Sequence, residues 1–209
     1  MDFESSPALE TWQWLLGESA EQLMNTLRSR PGDSLSWSKY LRKQGVPSEQ
    51  ARLLVEQLTL RPLAERKFSR AAKMFFRRQL LEQATGEDLA FYKAKRFESA
   101  PCVVDFCCGL GGDLMALAGV SQAIGVDADP VTSLLAKKNT AVNQVNADIV
   151  NCRCEEFVID SDAWIHIDPD RRAHDRRTTN LEFFSPSLDF LEGLINAHPK
   201  INFIMPRVF

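Results

Sequence analysis

The sequence contains no apolar run long enough to cross a membrane, since a spanning helix needs about 20 apolar residues in succession. Its first residues, M-D-F-E, are acidic, where a secretory signal peptide would be basic. We therefore expect a cytoplasmic protein with no membrane-spanning segment.

The sequence also has no C-x-x-C spacing among its five cysteines, although such pairs are typical of structural zinc sites. In an intracellular protein this pattern predicts reduced thiols, no disulfide scaffold and no metal site. Internal repeats and low-complexity segments are missing as well. With 209 residues and 44% apolar content, the chain is long enough for one α/β core and a smaller helical domain.

The apolar pattern changes along the chain, which suggests three segments. Residues 1–66 carry apolar side chains at helical spacing and predict a helical N-terminal domain. Residues 67–99 form a basic helical lead-in. Residues 100–209 alternate short β-branched runs with helical patterns, which predicts a Rossmann-like parallel sheet.

The most informative stretch is V-V-D-F-C-C-G-L-G-G-D at 103–113. Val103 and Val104 suit a buried parallel strand, and the glycines that follow let the chain turn sharply and bring its amides close to a ligand. An apolar helix pattern then begins, whose first N–H groups can meet polar ligand atoms. This order predicts a nucleotide-type pocket.

Two ligand classes use such a loop, and its spacing favours one of them. A dinucleotide site has a third glycine where this chain has Leu114. Asp113 would repel a pyrophosphate, whereas S-adenosylmethionine (SAM) has no phosphate and carries two positive groups. The loop therefore favours SAM over a nicotinamide dinucleotide.

The next two strands are expected to complete the cofactor pocket. Asp127 ends the run A-I-G-V-D, 22 residues after Asp105, and a carboxylate there can accept both ribose hydroxyls of an adenosyl cofactor. After the following strand, Cys154 and Glu155 are candidates for the adenine edge. The predicted cofactor residues are therefore Asp105, Cys107, Gly109, Gly111, Asp113, Asp127, Ala128, Cys154 and Glu155.

The fourth strand ends in D-P-D-R-R at 168–172, over the crevice where open α/β sheets bind ligands. Enzymes that methylate an exocyclic amine have [D/N]-P-P-aromatic at this place, where the first side chain holds the amine and the aromatic stacks on the base. Asp168 and Pro169 fit that pattern, and Arg171 replaces the aromatic, with a guanidinium that can stack on a base or pair with a phosphate. Asp168, Pro169 and Arg171 are the candidate catalytic residues, and the alternative is a simple strand-ending turn.

Basic residues are concentrated between Arg61 and Arg96, where ten Lys and Arg stand against four acids, although the whole chain has a net charge of −3. Their helical spacing predicts one amphipathic helix with a positive stripe, which can follow a phosphate backbone. An ordinary solvated helix face is the alternative. The candidate RNA contacts are Arg66, Arg70, Lys73, Arg77, Lys93 and Arg172.

Five stretches carry a resemblance to a known family: L-L-E-Q-A-T-G at 80–86, Y-K-A-K-R-F at 92–97, V-V-D-F-C-C-G-L-G-G-D-L at 103–114, G-V-D-A-D-P at 125–130 and D-P-D-R-R at 168–172. On these stretches the sequence resembles class I SAM-dependent methyltransferases that carry a C-terminal THUMP-like domain. It is similar, more distantly, to the RNA cap trimethylguanosine synthases, which share a helical lead-in and a C-G-x-G-G loop.

This resemblance implies a class I methyltransferase fold, SAM as cofactor and RNA as the methylated partner, with a purine exocyclic amine favoured as acceptor. It leaves the RNA species and the oligomeric state open. The family sheet continues through further strands into the THUMP-like domain, so we expect an incomplete core of about five parallel strands here. Cys107 stands where the family has the first glycine of the loop. The closest approach of the backbone to the cofactor must therefore tolerate a Cβ.

Two other functions remain open on the sequence. A SAM-fold module that binds RNA without catalysis is suggested by the missing aromatic in the fourth-strand motif. A nicotinamide-dependent oxidoreductase is disfavoured by Leu114 and by the lack of an obvious proton donor near the strand ends.

Overall fold

The computed structural model describes residues 7–168, 172–173, 176–177 and 186–197. The chain divides into two compact units, Met1–Gln83 and Ala84–Phe209. The basic lead-in that we predicted for 67–99 spans the boundary between these two units.

The first unit is helical, as predicted. Its helices are α1 (Pro7–Leu15), α2 (Glu18–Arg28), α3 (Ser34–Lys43), α4 (Ser48–Ala64) and α5 (Arg78–Gln83), with a short 3-10 turn at Ala71–Lys73. Their inward faces bury leucines and a methionine in one core: Leu15, Met24, Leu27, Leu41 and Leu54.

The predicted amphipathic helix through Arg66, Arg70, Lys73 and Arg77 is wrong. α4 ends at Ala64, and α5 begins only at Arg78. Between them the chain forms turns and one 3-10 turn, so the basic side chains do not lie along a single helical stripe.

The physical reason lies in three consecutive buried side chains, Met74, Phe75 and Phe76. A surface helix cannot bury three residues in succession, because they point in different directions around its axis. Side chains of α4 take over the backbone hydrogen bonds instead. Arg61 Nε donates to the carbonyl of Met74 at 2.9 Å, and Gln57 both donates to and accepts from the backbone of Phe76 at 2.7 and 2.8 Å.

The second unit alternates strands and helices. In chain order it contains α6 (Glu87–Ala94), β1 (Cys102–Phe106), α7 (Gly112–Leu117), β2 (Gln122–Asp127), α8 (Pro130–Val142), β3 (Asp148–Asn151), β4 (Trp164–Ile167), β5 (Arg172–Ala173), β6 (Arg176–Arg177) and α9 (Leu188–Ala197). Asp129 accepts a hydrogen bond from the Thr132 amide at 2.7 Å and so caps α8, whose first residue is Pro130.

Four of these strands form one parallel sheet in the order β3-β2-β1-β4, and β5 and β6 form a separate antiparallel pair. One face of the sheet packs against residues of α6, α7 and α8, and the other face packs against α9. This confirms the predicted Rossmann-like architecture. The described residues supply four parallel strands where we expected about five, and the predicted fifth strand at 201–205 lies outside them.

α7 packs closely on the sheet through a glycine in β2. A Cβ at Gly125 would stand 2.6 Å from Leu114 Cδ2 and 3.0 Å from Cys108 Sγ. In a dinucleotide fold the third loop glycine provides this close approach from the helix side. Here the helix carries Leu114 and the strand carries the glycine.

We predict that Gly125→Ala destabilises the protein by about 1–3 kcal/mol, because Leu114 and Cys108 are both buried and must shift. The matched control is Gly193→Ala in α9, where a Cβ meets nothing within 4 Å and alanine favours the helix by up to about 1 kcal/mol. Chemical denaturation of both variants checks this, and equal stabilities would contradict the packing argument.

Candidate active site at the carboxyl edge of the sheet

All four parallel strands end at the same edge of the sheet, which we call the rim. The loop 107–112 follows β1, Asp127 ends β2, Cys154 lies just after β3, and Asp168 directly follows β4. Parallel pairing brings these segments, which are distant in sequence, to one side of the second unit.

The loop after β1 turns sharply through three residues with positive φ: Cys107 (58°), Gly109 (56°) and Gly111 (83°). Glycine adopts this conformation freely, whereas Cys107 is strained by about 1 kcal/mol there. Gly111 is the N-cap of α7, so the first amides of that helix face the rim without a capping side chain. The amides of Cys108 and Gly111 donate to backbone carbonyls and that of Gly109 donates to Asp127, so the first turn of α7 carries the N–H groups that a ligand can meet.

Asp127 joins this loop to the end of β2. Its Oδ2 accepts the Gly109 amide at 3.1 Å, and its Oδ1 accepts the Asp129 amide at 3.0 Å. Burial raises the pKa of Asp127 to about 6, although both amide hydrogen bonds oppose the shift. The loop and the second-strand acid thus converge, which was the central spatial expectation from the sequence.

Three further polar residues hold the rim, and no sequence pattern singles them out. Asn151 Nδ2 and Ser133 Oγ both donate to the carbonyl of Asp127, at 2.9 and 3.1 Å. Asn139 is fully buried in α8, and its Nδ2 donates to the carbonyl of Leu110 at 3.2 Å. Each is a single polar residue whose local pattern carries no signal, and the backbone partners of Asn151 and Asn139 lie 24 and 29 residues away in sequence.

Lys93 does not point to solvent as an RNA contact would. Its ammonium forms an ion pair with Asp113 at 2.5 Å and a hydrogen bond with Thr85 Oγ1 at 3.1 Å, and the Lys93 side chain is 14% exposed. Thr85 also donates to Asp113 at 2.8 Å. The prediction for Lys93 is therefore corrected, because this cation is used inside the second unit.

This ion pair also changes the argument against a pyrophosphate. Lys93 offsets the charge of Asp113, so the carboxylate alone does not oppose an anionic ligand. The argument from Leu114 remains, since that side chain fills the space above Gly125.

Asp105 is also placed differently from the prediction. Its side chain is 2% exposed, and its Oδ1 lies 2.7 Å from Nδ1 of His166 on β4. The carboxylate points into the layer between sheet and helices. The prediction that Asp105 contacts a cofactor directly is therefore wrong. His166 is buried and forms its hydrogen bond within the protein.

The segment after β3 places Cys154 against the loop after β1. Cys107 Sγ and Cys154 Sγ lie 3.8 Å apart, and this contact together with burial raises the pKa of Cys107. Glu155 is exposed and lies 3.5 Å from Arg153 Nη2, and Ala128 is exposed beside Asp127. Their predicted contacts with an adenosyl group remain predictions.

The fourth-strand motif is described only in part. Asp168 is exposed directly after β4. Pro169 and Arg171 lie outside the described residues, and Arg172 begins β5 without a described side chain.

The remaining basic candidates lie in the first unit. Arg66, Arg70 and Lys73 are exposed, and Arg77 is half-buried. Among the described residues, no three His, Cys, Asp or Glu side chains are grouped closely enough to hold a metal ion. Over the same residues, no helix is long and apolar enough to cross a membrane.

The order β3-β2-β1-β4, with a glycine loop after β1 and an acid at the end of β2, is that of a Rossmann-like sheet, which class I methyltransferases share. The crystal structure of a protein from Porphyromonas gingivalis that is named a methyltransferase by inference matches with a TM-score of 0.62 at 21% identity. The match covers 98% of this chain and 50% of that chain. It confirms the predicted fold.

Sequence comparison points to the same class. Residues 100–186 match the family model described as RNA cap guanine-N2 methyltransferase. Two uncharacterized S-adenosylmethionine-dependent methyltransferases from two strains of Mycobacterium tuberculosis are 32% identical over 170 residues, which is 78% of this chain. The chain spans 42% of the length of these relatives. Together these similarities support a methyltransferase family for the chain.

We predict that Lys93→Met destabilises the protein by about 1–3 kcal/mol, because it leaves the largely buried Asp113 without its cation. Adding Asp113→Asn should recover most of that loss, since the uncompensated charge is then removed. Urea denaturation of both variants measures the effect. Lys95→Met is the control, because Lys95 is exposed two residues further along the chain, and an equal loss there would refute a specific role for the ion pair.

Proposed function

We propose that the chain is a SAM-dependent methyltransferase that acts on RNA, with a purine exocyclic amine as the acceptor. The observation that carries the proposal is the junction of Asp127 with the Gly109 amide at the rim, inside the stretch that matches the RNA cap guanine-N2 family. The relatives named as SAM-dependent methyltransferases support the choice of cofactor.

The residues at the rim fit an adenosyl cofactor. Asp127 would accept the ribose hydroxyls, and the loop amides near Gly109 and Gly111 would face the cofactor at the start of α7. Cys154 and Glu155 would border the adenine. SAM supplies an electrophilic methyl group on a sulfonium.

Two further groups suit the methionine end of the cofactor. Lys93 offers a cation and Asp113 an anion near the start of α7, and the methionine end carries one carboxylate and one ammonium. We therefore reassign Lys93 from RNA binding to the cofactor side of the site.

The acceptor side of the site rests on the segment after β4. The Asp168 carboxylate would accept a hydrogen bond from the acceptor amine and aim the nitrogen lone pair at the methyl group. Arg171 would grip the base or a neighbouring phosphate, and Pro169 and Arg172 are the other candidates of this segment. The enzyme's contribution is then mainly alignment of the reacting groups.

The RNA partner is supported by the description of the matching family and by the exposed basic residues Arg66, Arg70 and Lys73. The resemblance to methyltransferases with a THUMP-like domain is the narrower form of this proposal. Methyl transfer to total RNA, followed by nucleoside analysis, identifies the RNA and the atom that receive the methyl group.

We predict that affinity for S-adenosylhomocysteine (SAH), the product of methyl transfer, falls as the pH drops below about 6. Protonated Asp127 can no longer accept two ribose hydroxyls, so affinity at pH 5 should be about tenfold lower than at pH 7.5. The effect of pH on folding stability has the opposite sign. Because the pKa of Asp127 is raised in the folded protein, the free energy of unfolding of the unbound protein increases as the pH falls from 6 towards 3.8.

Isothermal titration calorimetry across this pH range tests the assignment. The matched variant is Asp127→Asn, which should bind SAH weakly and with no dependence on pH between 5 and 7.5. Equal affinity of the variant and the wild-type protein at pH 7.5 would remove Asp127 from the cofactor site.

We predict that Asp168→Ala keeps its affinity for SAH and loses methyl transfer by about 10²-fold or more, because the amine is no longer aimed at the methyl group. Transfer from labelled SAM to total RNA, followed by nucleoside analysis, measures the rate and identifies the methylated atom. Asp162→Ala is the control, since Asp162 is an exposed acid on the other side of β4.

The transfer experiment, together with SAH binding and a comparison of thermal stability, separates the alternative functions. SAH binding without transfer to any RNA would favour a catalytically silent RNA-binding module. Thermal stabilisation by a nicotinamide dinucleotide in place of SAH would favour an oxidoreductase. Full activity of Asp168→Ala would leave the methyltransferase proposal standing but remove the role given to this residue.

A further inference from the structure

Asp105 and His166 form a buried pair between β1 and β4, the last two strands in the order of the described sheet. They are direct partners in the register of β1 and β4, their side chains meet at 2.7 Å, and each side chain is 2% exposed. The layer around them is apolar, with the Phe97 ring 6.0 Å from the imidazole. The pair is therefore withdrawn from solvent and from any direct contact with substrate.

Stability alone does not explain such a pair. Removing two ionisable groups from water is unfavourable, and two well-packed apolar residues would stabilise this position at least as well. Asp105 Oδ2 and His166 Nε2 also have no hydrogen-bond partner among the described residues. What the pair provides is a short, directional link between two strands.

The link lies directly beneath the rim. Asp105 stands two residues before Cys107, where the loop begins, and His166 stands two residues before Asp168. The bond between them therefore connects the proposed cofactor loop to the proposed acceptor residue through one strand pair. In the proposed reaction, the loop holds the cofactor with its methyl group and Asp168 holds the acceptor amine, and these two groups must meet in line.

Charged groups of the neighbouring helices complete the surroundings of the pair. Lys93 on α6 and Asp113 on α7 both act electrostatically on Asp105 and on His166. Burial opposes a charged imidazole, but the charge and the hydrogen bond of Asp105 raise the pKa of His166 above its usual value. Burial also raises the pKa of Asp105, although the charge and the hydrogen bond of His166 oppose that shift. The pair is joined by a short hydrogen bond of 2.7 Å.

We propose that His166 is a positioning residue, which holds Asp105 through Nδ1 and thereby locks the loop 107–112 against the segment that carries Asp168. The catalytic consequence of this lock rests on the proposed function, whereas the lock itself does not. A misplacement of about 1 Å between reacting groups lowers a rate by on the order of 10²-fold.

The test compares two amides at position 166. His166→Asn places its amide where Nδ1 stands and can still donate to Asp105, whereas His166→Gln places its amide where Nε2 stands. Both variants are polar and similar in size, which favours folding in both cases. Ile165→Val, a neighbouring buried residue on the opposite face of β4, is the control for a general loss of packing.

The first measurement is amide hydrogen exchange by mass spectrometry. We expect His166→Gln to raise exchange at 107–112 and at 166–168 by about tenfold, and His166→Asn to resemble the wild-type protein. Equal behaviour of Asn and Gln, or an even rise over the whole sheet as in Ile165→Val, overturns the proposal.

The second measurement is methyl transfer to RNA at saturating SAM. We expect His166→Gln to lower kcat on the order of tenfold to a hundredfold with little change in SAH affinity, and His166→Asn to restore most of the rate. An unchanged kcat in His166→Gln overturns the positioning role. If the wild-type protein methylates no RNA, the proposed function fails, and the exchange measurement still decides on the lock.

Discussion

The carboxylate of Asp127 accepts the amide hydrogen of Gly109 at 3.1 Å, and this bond ties the end of β2 to the loop that follows β1. The remaining geometry of the rim depends on it. The other carboxylate oxygen fixes the turn into α8, while Asn151 and Ser133 hold the carbonyl of the same residue. One residue thus organises the backbone of three segments.

A recurring feature of both units is that buried polar side chains satisfy irregular backbone. Gln57 and Arg61 do so for the extended segment of the first unit, and Asn139 does so for the loop at the rim. Backbone groups that are buried outside helices and strands need such partners. The Asp105–His166 pair differs, because it links two side chains in regular strands and leaves the backbone pairing intact.

The sequence predicted much of the second unit because its signals are local. The strand-loop-helix order around Gly109, the cap at Asp129 and the acid at Asp127 each follow from neighbouring residues. The failures have a common cause. The basic spacing from Arg66 to Arg77 resembles a helix, but burial of three consecutive side chains overrode that pattern. Likewise, no local pattern shows that Asp105 faces His166, 61 residues away.

The sequence by itself determined the class of fold and the identity of the acid after the second strand, because periodicity, turn residues and caps act over a few neighbours. The tertiary structure alone decided which polar groups remain available at the rim. Lys93 meets Asp113 and His166 meets Asp105 only once the strands and helices have packed. Whether an ionisable side chain faces a ligand or a partner depends on such distant contacts, which sequence spacing does not encode.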